Sequence, residues 1–339
     1  MERFGRILIS SLSTAGIYLM SAGLGMGEAE PSGRMKNVIY YTPSPTVEAA
    51  ETAEALPVQG FGEDIRALLL PEMELGESEG FEAADVGGQV IETTIEGGMR
   101  IKNETEYFVD AAQLLSQGPG ISLAPEDVQI LIIHTHSSEA YTQAGLDRYQ
   151  PSDSHRTEDT QFNIVRIGDE LTEIFTDCGL NVVHDRGIYD YPSYTGSYSR
   201  SALAVEQYLE SYPNIQIVLD IHRDALGSEG VVYKTMAEEE GSVASQIMLL
   251  CGSDASGLEH SGWRQNLALA LYMQRAAVAE HPTLMRPVSL VKERYNQHMS
   301  PGSLIIEVGS SGNTLQEALA AVRLFGYAVG PALYELVGE

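Results

Sequence analysis

Three short, mostly apolar runs, each ending abruptly in imidazole or carboxylate, limit what this chain can fold into. Ile130 to Ile133 runs straight into His134-Thr135-His136 and then Glu139. Ile215 to Ile221 ends in His222-Arg223-Asp224, and Leu304 to Ile306 ends in Glu307. Runs bounded in this way read as buried strands. Helical spacing lies between them: Phe162, Val165, Ile167, Leu171, Ile174 and Phe175, closed by Gly179, then Ser201 to Leu209, Trp263 to Ala279 and Thr314 to Leu336. Strands alternating with helices predict an α/β fold with an open, largely parallel sheet flanked by helices. Further strands are expected at Leu180 to His184, Val231 to Lys234 and Ser245 to Leu250. A small hairpin is expected across ETTIEGGMRIKN, with a helix from Thr105 to Leu115. Open α/β sheets bind ligands outside the carboxyl ends of their strands, so the three polar strand ends point to one edge.

Two histidines and a carboxylate at such an edge suit a mononuclear zinc site. A catalytic zinc takes three His, Asp or Glu ligands and leaves a fourth position for water. In an extended segment, residues i and i+2 point the same way. His134 and His136 can therefore share one site, or one ligates while the other orients it. His222 is the second histidine ligand, with Asp220 on the same face of its strand. Glu307, beside the glycine turn Gly309 to Asn313, is a candidate general base for water activated by zinc; the structural alternative is a helix-cap setting for the helix from Thr314. The third ligand is open between Glu139 and Asp159, and Asp159 also suits a helix N-terminus through the dipole alone. Arg223 is a candidate for a bidentate contact to a substrate carboxylate, or for an ion pair with Asp220 or Asp224. His155, His260 and His281 read as solvated loop residues and His184 as structural, while His298 is a candidate for lining the cleft. No serine or cysteine lies in a recognisable nucleophile elbow.

Composition narrows the partners. Among 339 residues, 48 acidic side chains against 20 basic give a net charge of -28, which argues against nucleic-acid binding. Two cysteines exclude a disulfide framework. Arg3 and Arg6 precede an uncharged stretch, Ile7 to Gly27, that reads as a secretory signal or an uncleaved anchor near the ~20-residue bilayer span. Residues 1–27 are therefore expected to hold the chain at the membrane, with the amino terminus inside and the rest outside the cytoplasm. Residues 28–89, rich in Glu, Ala, Pro and Gly, read as an acidic spacer. Residues 90–339 form the expected catalytic domain.

Long collinear stretches carry a resemblance. IKNETEY, HTHSSEAY, FNIVRIGDEL, HDRGIYDYPSYTGSYSRS, IQIVLDIHRDA and RYNQHMSPGSLIIEVGSSGNTLQEAL resemble the stage II sporulation protein P family, over about residues 90 to 330. That family is similar to the zinc N-acetylmuramoyl-L-alanine amidases. The resemblance implies cleavage of the amide between the lactyl group of muramic acid and the first alanine of the stem peptide, with a second, endopeptidase activity on peptide cross-links. It implies work at the septum during engulfment in endospore formers, peptidoglycan as substrate, and two partners: the lytic transglycosylase called stage II sporulation protein D and the membrane protein called stage II sporulation protein M. Carried over by position, His136 (or His134) and His222 fall on the metal histidines and Glu307 on the catalytic glutamate. The acidic ligand of the wider group, a Glu four residues before an Asn at a helix start, falls on Asp159 by its spacing to Asn163. The first histidine of that group lies in a glycine-rich turn rather than in HTHSSE, which leaves Glu139 as a rival. The alternative reading is a non-catalytic peptidoglycan-binding scaffold on the same fold.

Overall fold

The computed structural model describes residues 39–41, 89–93, 95, 97–228, 230–239 and 243–338. The strands are β1 (Ile39–Tyr41), β2 (Gln89–Thr93), β3 (Ile101–Asn103), β4 (Ile130–Ile133), β5 (Val182–Asp185), β6 (Ile217–Asp224), β7 (Gly227–Ser228), β8 (Val231–Ala237), β9 (Ala244–Ser245), β10 (Ile247–Cys251), β11 (Val288–Leu290) and β12 (Gly302–Ser310). The helices are α1 (Ala111–Gln117), α2 (Ile164–Asp177), α3 (Ser197–Ser211), α4 (Trp263–Glu280) and α5 (Leu315–Tyr334). An eight-stranded sheet runs in the order β1-β5-β4-β6-β12-β10-β11-β3. Every pairing in it is parallel except β10 with β12. The fold is thus α/β with an open, largely parallel sheet. A second, four-stranded sheet runs β2-β8-β7, with β9 also paired to β8.

The apolar runs become strands because both of their faces are covered. In β4, Ile130 and Ile132 enter a core with Ile167, Leu171 and Phe175 of α2 and Val322 and Phe325 of α5. Leu131 and Ile133 enter a second core with Val205 and Tyr208 of α3. All four β4 residues are at most 1% exposed, and burying each stabilises the fold by roughly 1.5–3 kcal/mol.

Local chemistry sets the helix starts. The Asn163 side chain accepts the Val165 N–H to cap α2, and Thr314 with Glu317 forms a capping box on α5. Gly168 lets α2 approach the sheet closely. A Cβ there would lie 2.5 Å from Nε2 of both His134 and His184.

Several expectations are corrected. ETTIEGGMRIKN makes no hairpin: β2 pairs with β8 and β3 with β11, in separate sheets and both parallel. The helix expected from Thr105 is confined to α1. α3 begins at Ser197, inside the tyrosine-rich stretch Tyr189 to Arg200 and before the Ser201 start expected for that helix. Within the segment read as a spacer, Ile39–Tyr41 is a strand on the edge of the main sheet; most of the rest of that segment, and the anchor expected over residues 1–27, lie outside the described residues. Among the described residues, no helix is long and apolar enough to cross a membrane.

Candidate metal centre

The site is built where β4, β6 and β12 end. After Ile133 the chain leaves the extended form and turns through Thr135 to Ser138. The Ser137 hydroxyl donates to His134 O at 2.6 Å, and Glu139 N–H donates to His136 O at 3.0 Å. The turn therefore brings Glu139 back beside His136. Asp190, from the tyrosine-rich loop, anchors it by accepting Ser138 N–H at 2.9 Å and the Ser138 hydroxyl at 2.7 Å. Across the sheet, the parallel register of β12 on β6 sets Glu307 opposite His222.

His136, Glu139 and His222 are all buried, and one donor atom from each lies within 4.8 Å of the others. Glu139 is the bridge: Oε1 is 3.5 Å from His136 Nδ1, and Oε2 is 3.5 Å from His222 Nδ1. Ligands at zinc distances in a tetrahedron stand about 3.4 Å apart, close to each of these two contacts, which reach one oxygen of Glu139 apiece. Nε2 of His136 is shut from solvent without a hydrogen-bond partner, as is Glu307 Oε2, and Nε2 of His222 faces Asp220 Oδ1 at 2.9 Å without forming a hydrogen bond. A buried cluster with this much unmet polar capacity has the donor chemistry to hold zinc.

The charges agree. Burial alone would raise the Glu139 carboxyl, but the Arg223 guanidinium, with His136 and His222, holds it well below the usual carboxylate range. Burial likewise opposes a proton on His222, yet the Asp220 and Glu139 carboxylates raise it well above its ordinary value. Burial pushes the Glu307 carboxyl up to about 8; His222 and Arg223 pull against this, while Asp224 and Glu139 add to it. Two carboxyls of one site thus sit at opposite ends of the range, the pattern that separates a ligand from a proton carrier.

The remaining candidates lie elsewhere. His134 does not share the site. It turns toward α2, with Nδ1 3.0 Å from Ile221 O and Nε2 2.8 Å from His184 Nε2. Its place in line with His136 was an extended-chain expectation, and the turn at Thr135 breaks the alternation. Asp159 does not join either. It is exposed, and its carboxylate accepts the Gln161 N–H at 3.0 Å. Arg223 is turned to the main chain rather than to a substrate. Nε donates to Ala140 O and Nη2 to His155 O, both at 3.0 Å, and its own N–H donates to Glu139 Oε2 at 3.2 Å. His260, expected to be solvated, is buried, whereas His298 is exposed and outside the cluster.

Sequence reasoning did not single out Arg156, which pairs with Asp190 and stands 3.3 Å from Glu139 Oε1. Nor did it single out individual tyrosines. Tyr194 stacks on His136 with ring centroids 4.5 Å apart, Tyr198 meets His136 edge-on at 5.4 Å, and the Arg156 guanidinium lies 5.0 Å from the Tyr194 centroid. The loop's tyrosine content was the available signal. Arg200 gathers that loop by donating to the carbonyls of Tyr189, Ser193 and Thr195.

Two imidazoles and a carboxylate at the carboxyl edge of a parallel sheet, with a second carboxyl in register, form the side-chain set that mononuclear zinc hydrolases use. The family model for stage II sporulation protein P matches residues 77–329. The chain belongs to that family. Stage II sporulation protein P of Bacillus subtilis (strain 168) is 22% identical over 209 residues, 57% of this chain and 48% of the relative, so the match spans about half the relative's length. Similar solved structures include the CwlD amidase of Clostridioides difficile in complex with the GerS lipoprotein (TM-score 0.37, 14% identity, 61% of this chain and 98% of that one). They also include the N-acetylmuramoyl-L-alanine amidase AmiC2 of Nostoc punctiforme (0.34, 13%, 61% and 97%).

Proposed function

We propose that this chain is a zinc-dependent N-acetylmuramoyl-L-alanine amidase that cuts stem peptides from peptidoglycan. The observation that carries the reading is the buried trio His136, Glu139 and His222, with donor atoms within 4.8 Å, and Glu307 in register with His222. Family membership supports the substrate class.

His136, Glu139 and His222 would hold the metal. Zinc in such a site supplies Lewis acidity to the scissile carbonyl and lowers the pKa of water. Glu307 takes the proton of the attacking water as its oxygen bonds to the lactyl carbonyl carbon. It then delivers that proton to the alanine nitrogen as the C–N bond breaks, leaving a carboxylic acid on the sugar side and a free amine on the peptide. Burial raises the Glu307 carboxyl to about 8 in the metal-free chain, and a cation beside it would bring it down toward the carboxylate form that accepts the proton of water. Arg223 and Arg156 hold Glu139 in its ligating pose, and Tyr194 offers an exposed aromatic face to the glycan or peptide. Endopeptidase activity on cross-links, action at the engulfing septum, an amino-terminal membrane anchor, and partnership with stage II sporulation proteins D and M complete the proposal.

The test is Glu307→Gln in the zinc-loaded chain. Metal content is expected to stay near that of the unaltered protein while release of stem peptides from purified peptidoglycan is lost. Undiminished release by the variant rejects the role given to Glu307.

A further inference from the structure

One buried carboxylate beside the site has no part in the chemistry above. Asp220 lies two residues before His222 on β6, so their side chains share a face, and it is 8% exposed. Its Oδ1 accepts the Thr135 N–H at 2.7 Å and lies 2.9 Å from His222 Nε2; its Oδ2 accepts the Thr135 hydroxyl at 2.7 Å. The opposite ring nitrogen, Nδ1, is the one 3.5 Å from Glu139. His222 therefore has a carboxylate at one nitrogen and the candidate cation position at the other, the division by which outer carboxylates orient metal-bound imidazoles.

The same carboxylate ends a directional chain. Since the Thr135 hydroxyl donates to Asp220, the Ser201 hydroxyl 2.7 Å away is the donor in their contact. Asn296 Nδ2 in turn donates to Ser201 Oγ at 3.1 Å. The chain runs from the loop before β12, through α3, to the β4 turn, and stops on the oxygens beside His222. The histidine-bearing ends of β4 and β6 thus meet on one side chain.

We propose that Asp220 is the positioning residue of the metal centre: its carboxylate stands against Nε2 of His222, leaving Nδ1 for the metal, and through Thr135 it pins the turn that presents His136. This rests on the zinc reading above. The experiment is zinc titration of the full-length chain against a competing chelator dye, with thermal unfolding of the metal-free forms alongside. Asp220→Asn is expected to weaken zinc binding by about tenfold or more while the metal-free protein still unfolds cooperatively. If that variant fails to fold, Thr135→Val and Thr135→Ser decide. The valine, which keeps the N–H and loses the hydroxyl, weakens zinc binding, and the serine restores it. Zinc binding by Asp220→Asn equal to that of the unaltered chain overturns the inference alone, as does equal binding by the two Thr135 variants. An unaltered chain that takes up no stoichiometric zinc overturns the metal reading and this inference together.

Discussion

Glu307 is expected to cost the metal-free fold stability, and the cost follows from its surroundings. Its carboxyl moves from an ordinary 4.5 to about 8 on folding, with burial as the leading cause. A carboxyl whose folded pKa lies above its unfolded one binds its proton more tightly in the native state. Stability is therefore full below about pH 4.5 and declines as pH rises through about 8. Integrated to pH 7, that shift amounts to about 3 kcal/mol; at pH 5 it is about 1 kcal/mol. Glu307→Gln removes the charge at nearly constant volume. In chelator, urea unfolding should show the glutamine variant gaining about 2 kcal/mol on the unaltered chain between pH 5 and pH 7. A difference that stays flat across that interval, or that favours glutamate at pH 7, would refute the reasoning. Saturating zinc should shrink the gap, since a cation beside Glu307 favours its ionised form. A residue retained at a stability cost is expected where function needs it.

Three further outcomes follow from the same geometry. Gly168→Ala is expected to destabilise the fold by roughly 1–3 kcal/mol, because the new Cβ meets two buried imidazoles at 2.5 Å; an unchanged denaturation midpoint contradicts that packing. Burial, with His184 beside it, drives the His134 ring down to about 3. Its folded pKa lies below the unfolded value, so its contribution is full above about pH 6.5 and is lost as pH falls toward about 3; a proton NMR titration showing His134 charged at pH 5 contradicts this. Tyr194→Ala is expected to raise KM for peptidoglycan fragments several-fold with kcat nearly unchanged and zinc retained, as expected of a group that binds without taking part in the chemistry; an equal fall in kcat and kcat/KM places the ring in the transition state instead.

The sequence showed which strands end in chemistry, because burial on both faces of β4, β6 and β12 leaves a mostly apolar mark that stops where the polar edge begins. It could not place His134, since the two-residue alternation holds only while the chain is extended, and the turn at Thr135 is set by Asp190 and Asp220 from other parts of the chain. The choice between Glu139 and Asp159 was closed to it for the same reason. Glu139 reaches the site through a turn whose Ser138 is tied to the distant Asp190, and Asp159 caps a local turn of its own. Arg223 carried a charge that suited a substrate, but its partners Ala140 and His155 are more than sixty residues away. The Gly97-Gly98 pair has the composition of a hairpin turn, yet β2 and β3 find parallel partners far along the chain; β8 was legible as a strand at Val231 to Lys234 but its pairing with β2 was not, and nothing local announces the short β11.

The most direct measurement is the count of new alanine amino termini when the full-length chain digests purified peptidoglycan, with zinc and with chelator. The site described here predicts alanine termini appearing with zinc, in step with detached stem peptides, and ceasing once the metal is removed. Release that continues undiminished in chelator, or no release at saturating zinc, would contradict it.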